Sequence, residues 1–230
     1  CRASRHAEGA VWPSRRGYNA ARTTRAAHRL ALPQIDRGDF VASLGDYVRA
    51  DQKWVPGVDG ASLYLRPFMF ASEEFVGVHP AGVVDSYVIG SPSGPYFTGG
   101  FAGVPIWVVR GYHRAGPGGT GSAKAGGNYA ASLLPQIEAE QRGFSQVCFL
   151  DTYEEKYLEE LGGMNMFVVM ADGSVRTPEL SGVILEGCTR SAILRLLRDD
   201  GVDVSEERIA LDDLVAGIRS GAVAEVFACG

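Results

Sequence analysis

A stretch dense in proline, glycine and serine limits how this chain can fold more than any other feature. It covers Ser91–Gly103 and reads SPSGPYFTGGFAG. Proline lacks the N–H that a helix or a sheet needs, and ordering glycine costs backbone entropy, so such a run favours a connection between folded parts. In a chain of 230 residues a domain boundary is reasonable here. We predict a small domain over 1–93, a linker over 94–104 and a large domain over 105–230.

The predicted helices and strands are interspersed without a regular βαβ period, which favours the α+β class over a doubly wound sheet. Asn19 is a candidate N-cap for a helix over about Ala20–Leu30, and a second amphipathic helix covers about Arg37–Ala50. The predicted strand SLYLRPFMFA, Ser62–Ala71, does not alternate cleanly between apolar and polar side chains. We expect Pro67 to interrupt its pairing.

Composition narrows the class of protein. The net charge of −5 is spread without long runs, which argues against nucleic-acid and membrane-surface partners. The hydrophobic fraction of 46% is that of a soluble globular protein, and apolar runs of strand length predict no transmembrane helix. The four cysteines lie far apart and the four histidines show no metal-ligand spacing, so we expect free thiols, no metal ion and a cytoplasmic location. The chain opens at Cys1 without a methionine and stops at Gly230 directly after a strand-like run, so we expect an internal fragment of a longer protein.

A glycine-rich run with one lysine, GGTGSAKAGGNY at Gly118–Tyr129, is the strongest candidate for a chemical site. A phosphate-binding P-loop needs Gly-Lys-Ser/Thr in sequence, and Lys124 lies between Ala123 and Ala125, so we exclude that motif. Two interpretations remain open on these residues alone. The run is a solvated loop with an incidental surface lysine, or Lys124 is a nucleophilic amine that forms a Schiff base with a carbonyl.

Several segments in a fixed order resemble those of a known family. They are SLYLRPF near residue 65, SGPYFTGG near residue 95, KAGGNY in the lysine loop, EELGGMNMF near residue 165 and TPELSGVILEGCTR near residue 185. In order and spacing they resemble the branched-chain amino acid aminotransferases, which belong to the type IV fold group of pyridoxal phosphate (PLP) enzymes. The resemblance spans nearly the whole chain. It implies an α+β, two-domain fold similar to that of D-amino acid aminotransferase and incomplete at both termini.

The resemblance implies roles for three residues of the large domain. Lys124 would bind PLP as a Schiff base and move a substrate proton as a general acid and base. Tyr129 resembles the tyrosine that hydrogen-bonds the 3′-oxygen of PLP, although a core tyrosine at a helix start explains it equally well on sequence alone. Glu160 resembles the carboxylate that pairs with the ring nitrogen, because it lies two residues before Gly162-Gly163. Without the family, Glu160 and Glu159 could not be told apart, and we expect Glu159 to be a solvated charge.

A phosphate cup is implied at Gly187, Cys188 and Thr189, where a turn begins a predicted helix. Cys188 would contribute through its backbone, so its thiol need not matter. Glu186 stands where the family usually has proline, and its charge should weaken binding of the phosphate dianion unless the side chain turns to solvent. Arg22, in NAARTTR, resembles the arginine that binds the phosphate from the smaller domain. On sequence alone, an arginine on such a helix is a solvated residue.

Substrate recognition is implied at Tyr64 and Arg66 in LYLRP and at Tyr96 in the linker. The implied reaction is PLP-dependent transamination of leucine, isoleucine or valine with 2-oxoglutarate, with amino acids and 2-oxo acids as small-molecule partners. A homodimer is the implied assembly. Another enzyme of the same fold group, such as a D-amino acid aminotransferase or an aminodeoxychorismate lyase, is the alternative. An inactive, truncated product that binds PLP weakly or not at all is the non-enzyme alternative.

Overall fold

The computed structural model of the chain describes residues 1–94 and 102–230. The chain divides into two compact units, Cys1–Ala102 and Gly103–Gly230. The strands are β1 (Arg2–Arg5), β2 (Val11–Pro13), β3 (Ser62–Ala71), β4 (Val84–Ser93), β5 (Ile106–Val108), β6 (Gln146–Leu150), β7 (Leu158–Leu161), β8 (Asn165–Met170), β9 (Val175–Pro178), β10 (Val204–Glu207) and β11 (Val223–Cys229). The helices are α1 (Arg16–Arg29), α2 (Arg37–Ala50), α3 (Gly126–Gln141), α4 (Cys188–Asp199) and α5 (Leu211–Ser220), with a 3-10 turn at Gln52–Trp54. None of the helices in the described ranges is long and apolar enough to span a membrane.

The first unit is built on an antiparallel sheet with the strand order β2-β1-β3-β4. Because side chains alternate along a strand, Leu63 and Leu65 of β3 point to one face, where they are buried in a cluster with Phe40 and Leu44 of α2. Helix α2 has the predicted bounds and is capped by the carboxylate of Asp36, which accepts hydrogen bonds from two backbone N–H groups of the first turn.

The expectation that Pro67 interrupts the pairing of β3 is wrong. The register between β3 and β4 runs without a break from Ser62 to Ala71, and Pro67 lies opposite Val88. Strand β1 pairs with β3 at Leu63 and Tyr64, so that within residues 1–94 and 102–230 the strand paired with β3 at Pro67 is β4 alone. A proline is tolerated at such an edge because its missing N–H is not needed by a second strand.

The predicted start of the first helix is also wrong. Helix α1 begins at Arg16, four residues before the predicted start at Ala20, and its N-cap is Arg15 in the left-handed region at φ 46. Asn19 therefore lies inside the helix, where its Nδ2 donates to the backbone oxygen of Arg15 at 3.1 Å. An asparagine resembles a cap in sequence because its side chain can bond to backbone groups, and here it does so one turn further along.

The second unit contains two sheets of mixed direction. Their strand orders are β5-β6-β7 and β10-β9-β8-β11. Strand β5 is parallel to β6 and β10 is parallel to β9, whereas the other pairs are antiparallel. This mixture, without a regular alternation of strand and helix, confirms the predicted α+β class.

Strand β7 lies in the interior of the second unit. Buried apolar residues of β6, β7 and β8 form one cluster with Ile209, which follows β10; the strand members are Cys148, Leu150, Leu158, Leu161, Met166 and Val168. All four residues of β7 are buried, and its sequence is LEEL. Two consecutive glutamates are therefore taken into the interior of a folded unit, where a carboxyl needs compensating partners or becomes neutral by taking up a proton.

Candidate active site

The lysine of the glycine-rich run lies directly before helix α3. Lys124 is two residues ahead of the helix start at Gly126, and Tyr129 lies in the first turn of the helix. The Lys124 Nζ donates a hydrogen bond to the Tyr129 hydroxyl. The same Nζ lies 4.2 Å from the centroid of the tyrosine ring. The structure therefore brings together the predicted amine and the predicted phenol.

A buried asparagine fixes the backbone that leads to Lys124. The Oδ1 atom of Asn128 accepts a hydrogen bond from the Thr120 hydroxyl at 2.8 Å. Its Nδ2 donates to the backbone oxygens of Thr120 and Ala123 at 2.7 and 3.0 Å. These contacts close the loop on the first turn of α3, so that the lysine projects from an ordered backbone.

The same loop is anchored from its other side by a buried arginine. The Nη2 atom of Arg114 donates to the backbone oxygens of Gly121 and Val183 at 3.0 and 2.6 Å. A Cβ at position 121 would collide with the Val183 oxygen. Gly121 is therefore required by the close approach of two backbone segments rather than by a turn.

Arg114 also forms an ion pair with the carboxylate of Glu160. The two side chains are 2% and 4% exposed, so the pair is shielded from water. The Oε1 atom of Glu160 accepts a second hydrogen bond from the Leu185 N–H at 2.8 Å, and Oε2 lies 3.5 Å from Asn165 Nδ2. Burial raises the pKa of Glu160 to about 7, and the Arg114 guanidinium, the Leu185 N–H and the Lys124 ammonium oppose that rise.

The neighbouring glutamate contradicts the sequence-based expectation. Glu159 was expected to be a solvated charge, but it is 7% exposed. Burial and then the charge of Asp151 raise the pKa of Glu159 to about 7, while Arg114 acts in the opposite direction. Because strand side chains alternate, Glu159 points away from the Glu160 face, and it lines a cavity of about 390 Å³.

The predicted phosphate turn lies at the start of α4. Gly187 is the N-cap of the helix, Cys188 is its first residue, and the Thr189 hydroxyl donates to the Gly230 oxygen at 3.2 Å. A Cβ at position 187 would collide with Oδ1 of Asn165, whose Nδ2 donates to the Leu185 oxygen at 3.0 Å. Asn165 thus connects the strand after Glu160 to the turn. The N-terminus of a helix favours an anion because its N–H groups and dipole point at it.

Three further predicted residues lie in the first unit. Arg22 is half-buried in α1, and its Nη2 donates to Oδ1 of Asn19 at 2.8 Å. Tyr64 and Arg66 lie two residues apart on one face of β3, with the guanidinium 5.5 Å from the tyrosine ring centroid. Tyr96 lies outside the described residues.

Sequence reasoning missed Arg114, Asn128 and Asn165. The two asparagines stand inside the quoted segments KAGGNY and EELGGMNMF, so the motif could have led to them, although not to their partners. No sequence signal separates Arg114 from the exposed arginines, because its burial depends on segments far apart in the chain.

Comparison with known proteins gives a family match over most of the chain. The family model described as "Amino-transferase class IV" matches residues 13–230. The chain is 49% identical over 233 residues to the branched-chain-amino-acid aminotransferase of Mycobacterium tuberculosis (strain ATCC 25618 / H37Rv), covering 100% of this chain and 63% of that protein. It is 46% identical over 230 residues to the probable branched-chain-amino-acid aminotransferase of Streptomyces coelicolor, again with 63% of that protein covered. The chain thus spans less than two thirds of the length of these curated relatives.

Solved structures show the same fold. The branched-chain aminotransferase of Thermoproteus uzoniensis with norvaline matches with a TM-score of 0.80 at 26% identity, covering 100% of this chain and 72% of that one. The branched-chain amino acid aminotransferase of Escherichia coli matches with a TM-score of 0.79 at 26% identity, covering 100% and 71%. The arrangement around Lys124 therefore lies in a fold that such proteins share.

Proposed function

The chain belongs to the class IV aminotransferase family, and from this premise we propose that it catalyses PLP-dependent transamination of branched-chain amino acids. Leucine, isoleucine or valine would donate the amino group, and 2-oxoglutarate would accept it. The names of the relatives that are 46% and 49% identical support this substrate class. So do the segments LYLRP and GGMN, which resemble the branched-chain type more than the other enzymes of the fold group.

The observation that carries the proposal is the contact between the Lys124 amine and the Tyr129 hydroxyl, next to the buried carboxylate of Glu160. The donor set fits PLP chemically. An amine can bind the aldehyde, a phenol can bond to the 3′-oxygen, a carboxylate can pair with the ring nitrogen, and a glycine-led helix N-terminus can hold the phosphate. When bound, PLP supplies an electron sink for the bond that breaks at the substrate Cα.

Each side chain would have defined tasks. Lys124 would bind the cofactor and afterwards take a proton from the substrate Cα and return it at the aldehyde carbon (C4′) of the cofactor, which needs an amine held close and poised to change its charge. The Tyr129 hydroxyl would orient that amine and bond to the 3′-oxygen. Glu160 would keep the ring nitrogen protonated, and the backbone of Gly187, Cys188 and Thr189 would bind the phosphate.

For the first unit we propose the role of a small domain that supplies Arg22 to the phosphate and Tyr64 and Arg66 to the substrate carboxylates. Tyr96 is proposed as a further substrate contact. We also propose a homodimer and a cytoplasmic location. The residue roles depend on the resemblance of LYLRP, NAARTTR and SGPYFTGG to the family's segments, the homodimer depends on the resemblance as a whole, and the cytoplasmic location depends on the separated cysteines.

The test is a cofactor titration followed by a panel of amino donors. We expect the chain mixed with PLP to develop the visible absorbance band of a lysine-linked pyridoxal, and Lys124→Met to lack that band. L-leucine, L-isoleucine and L-valine should convert 2-oxoglutarate to glutamate, whereas D-alanine should not. A folded protein without the band would refute the cofactor assignment. A band with turnover of D-amino acids only would assign the chain to the alternative enzyme class.

A further inference from the structure

The contacts of Arg114 converge on the three segments that form the proposed site. A single nitrogen, Nη2, contacts the Gly121 oxygen in the lysine loop, the Val183 oxygen ahead of the phosphate turn and the Glu160 carboxylate. The side chain is 2% exposed, so these contacts are shielded from water. Removing one partner of a buried ion pair leaves an uncompensated charge, which costs more than the pair itself contributes.

We propose that Arg114 is a positioning residue for Glu160, which keeps this carboxyl ionised and directs its second oxygen to the ring nitrogen of PLP. This inference rests on the proposed function. It goes beyond that function in assigning a task to a residue that does not itself contact the cofactor.

The distribution of contacts on the carboxylate supports the second part of the inference. Oε1 accepts hydrogen bonds from both the Arg114 guanidinium and the Leu185 N–H. Among the described residues, Oε2 has only the 3.5 Å contact from Asn165 Nδ2, which is long for a hydrogen bond. Oε2 is therefore the oxygen with capacity for another donor, and a protonated pyridine nitrogen is such a donor.

The charges around the carboxylate support the first part. A neutral carboxyl cannot stabilise a protonated ring nitrogen, and burial favours the neutral form. Within the described residues, the positive charges that favour ionised Glu160 are those of Arg114, by direct contact, and of Lys124 and Arg190, more weakly, while Glu159 is a neighbouring anion. Arg114 has the largest effect of the three, so its removal should change the ionisation of Glu160 most.

The experiment compares a neutral and a charged replacement of Arg114 in the whole chain. The titration midpoint of the Glu160 carboxyl is measured by NMR with ¹³C-labelled glutamate, without cofactor, and the signal is assigned by its loss in Glu160→Gln. Arg114→Gln should raise the midpoint by about 1 to 3 pH units, and Arg114→Lys, which keeps the charge, should leave it close to the wild-type value. With ¹⁵N-labelled PLP, the ring nitrogen should be protonated above neutral pH in the wild type and in Arg114→Lys, and unprotonated in Arg114→Gln.

Two control variants separate this role from general support of the fold. Arg190→Gln removes another buried arginine, which pairs with Glu206, and should shift the Glu160 midpoint much less than Arg114→Gln. Arg110→Gln removes an exposed arginine of the same segment and should not shift it. A midpoint unchanged in Arg114→Gln, or shifted equally in Arg190→Gln, would overturn the inference.

Loss of PLP binding and misfolding of Arg114→Gln have separate consequences. If the wild type binds no PLP, the proposed function fails, while the cofactor-free titration still decides whether Arg114 controls Glu160. If Arg114→Gln does not fold, the double variant Arg114→Gln/Glu160→Gln tests whether the unpaired charge of Glu160 is the cause. Because both buried charges are then absent, we expect the double variant to fold; if it stays as unfolded as the single variant, Arg114 is a support of the loop alone and the inference is wrong.

Discussion

Two neighbouring glutamates on opposite faces of strand β7 are both buried, but they have different partners. Glu160 and Glu159 are 3% and 7% exposed, and burial raises the pKa of each to about 7. Glu160 has an arginine and a backbone N–H on one oxygen. Glu159 accepts no hydrogen bond from the part of the chain that the structure describes, and its near neighbour Asp151 has the same charge. A raised pKa alone therefore does not distinguish the two carboxyls, whereas the donors around each of them do.

The largest expected effect concerns the amine on the Glu160 face. Lys124→Met should abolish the visible band of bound PLP and lower kcat/KM for L-leucine by about 10⁴-fold or more, because both covalent binding and proton transfer are lost. Absorbance spectra and the transamination assay measure this. Lys156→Met, which removes an exposed lysine of the same unit, is the control and should retain the band. A band that persists in Lys124→Met would show that the PLP-linked amine lies elsewhere.

Matched glutamine variants can compare the contributions of the two carboxyls to catalysis. Glu160→Gln should lower kcat by about 10²- to 10³-fold, because the charge that stabilises the protonated ring is lost. Glu159→Gln should leave kcat within a few-fold of the wild type, since this side chain points to the opposite face of β7. Steady-state kinetics with L-valine measure both. Equal losses in the two variants would mean that the distinction between the two faces of β7 has no catalytic meaning.

The raised pKa of Glu159 should appear in the pH dependence of the free energy of unfolding. A carboxyl with an ordinary pKa of 4.5 and a folded-state pKa of about 7 binds its proton more tightly in the folded protein. Its favourable contribution is thus complete below about pH 4.5 and is lost as the pH rises to about 7, by at most about 3 kcal/mol. The free energy of unfolding of Glu159→Gln should equal that of the wild type near pH 4.5 and exceed it above about pH 7.

Urea unfolding at a series of pH values measures this difference, in which the titration of Glu160 cancels because both proteins retain it. Glu225→Gln, an exposed position on β11, is the control and should run parallel to the wild type. If the Glu159→Gln curve also ran parallel, the Glu159 carboxyl would have to be compensated in the folded state, and the contrast between the two faces of β7 would disappear.

A smaller effect is expected from the asparagine that holds the lysine loop on the Glu160 face. Asn128→Ala removes three hydrogen bonds and leaves the half-buried Thr120 oxygen and the buried Ala123 oxygen without this donor, at a cost of about 1 to 3 kcal/mol. Urea unfolding should show this loss, and PLP affinity should fall with it because Lys124 is no longer held. Gln141→Ala, at an exposed position of the same helix, should change stability by less than about 0.5 kcal/mol.

Much of the fold could be predicted from local sequence patterns. The bounds of α2, α5 and β6 follow from apolar periodicity and flanking breakers. Pro67 and Asn19 were misinterpreted because their effects depend on which neighbour is present: a proline is harmless where no second strand pairs, and an asparagine caps only where the chain enters the helix.

The site could be predicted only as far as the quoted segments reach. Lys124, Tyr129 and the Gly187 turn lie in local motifs, and the contact between Lys124 and Tyr129 joins residues only five positions apart. Arg114, in the loop after β5, and Glu160, on β7, lie 46 positions apart, and Glu159 is buried on a strand whose leucines pack in a cluster with residues of β6 and β8. Partners of this kind are determined by tertiary packing, which single-residue patterns do not encode.

The smallest effect tests a third carboxylate, which differs from both glutamates of β7 because it is only half-buried. Glu186 directly precedes the Gly187 N-cap of α4, so its charge opposes a phosphate dianion at the helix N-terminus. Glu186→Gln should tighten PLP binding by about 2- to 5-fold, equivalent to the 0.3 to 1 kcal/mol of one charge near a helix end. Fluorescence titration at low and high salt measures it, and the gain should shrink as salt screens the charge. Glu179→Gln, an exposed glutamate of the same unit, should have no effect. Weaker binding in Glu186→Gln would mean that this carboxylate supports the turn rather than opposing the phosphate, and then its partners, not its charge alone, decide its effect, as they do for Glu160.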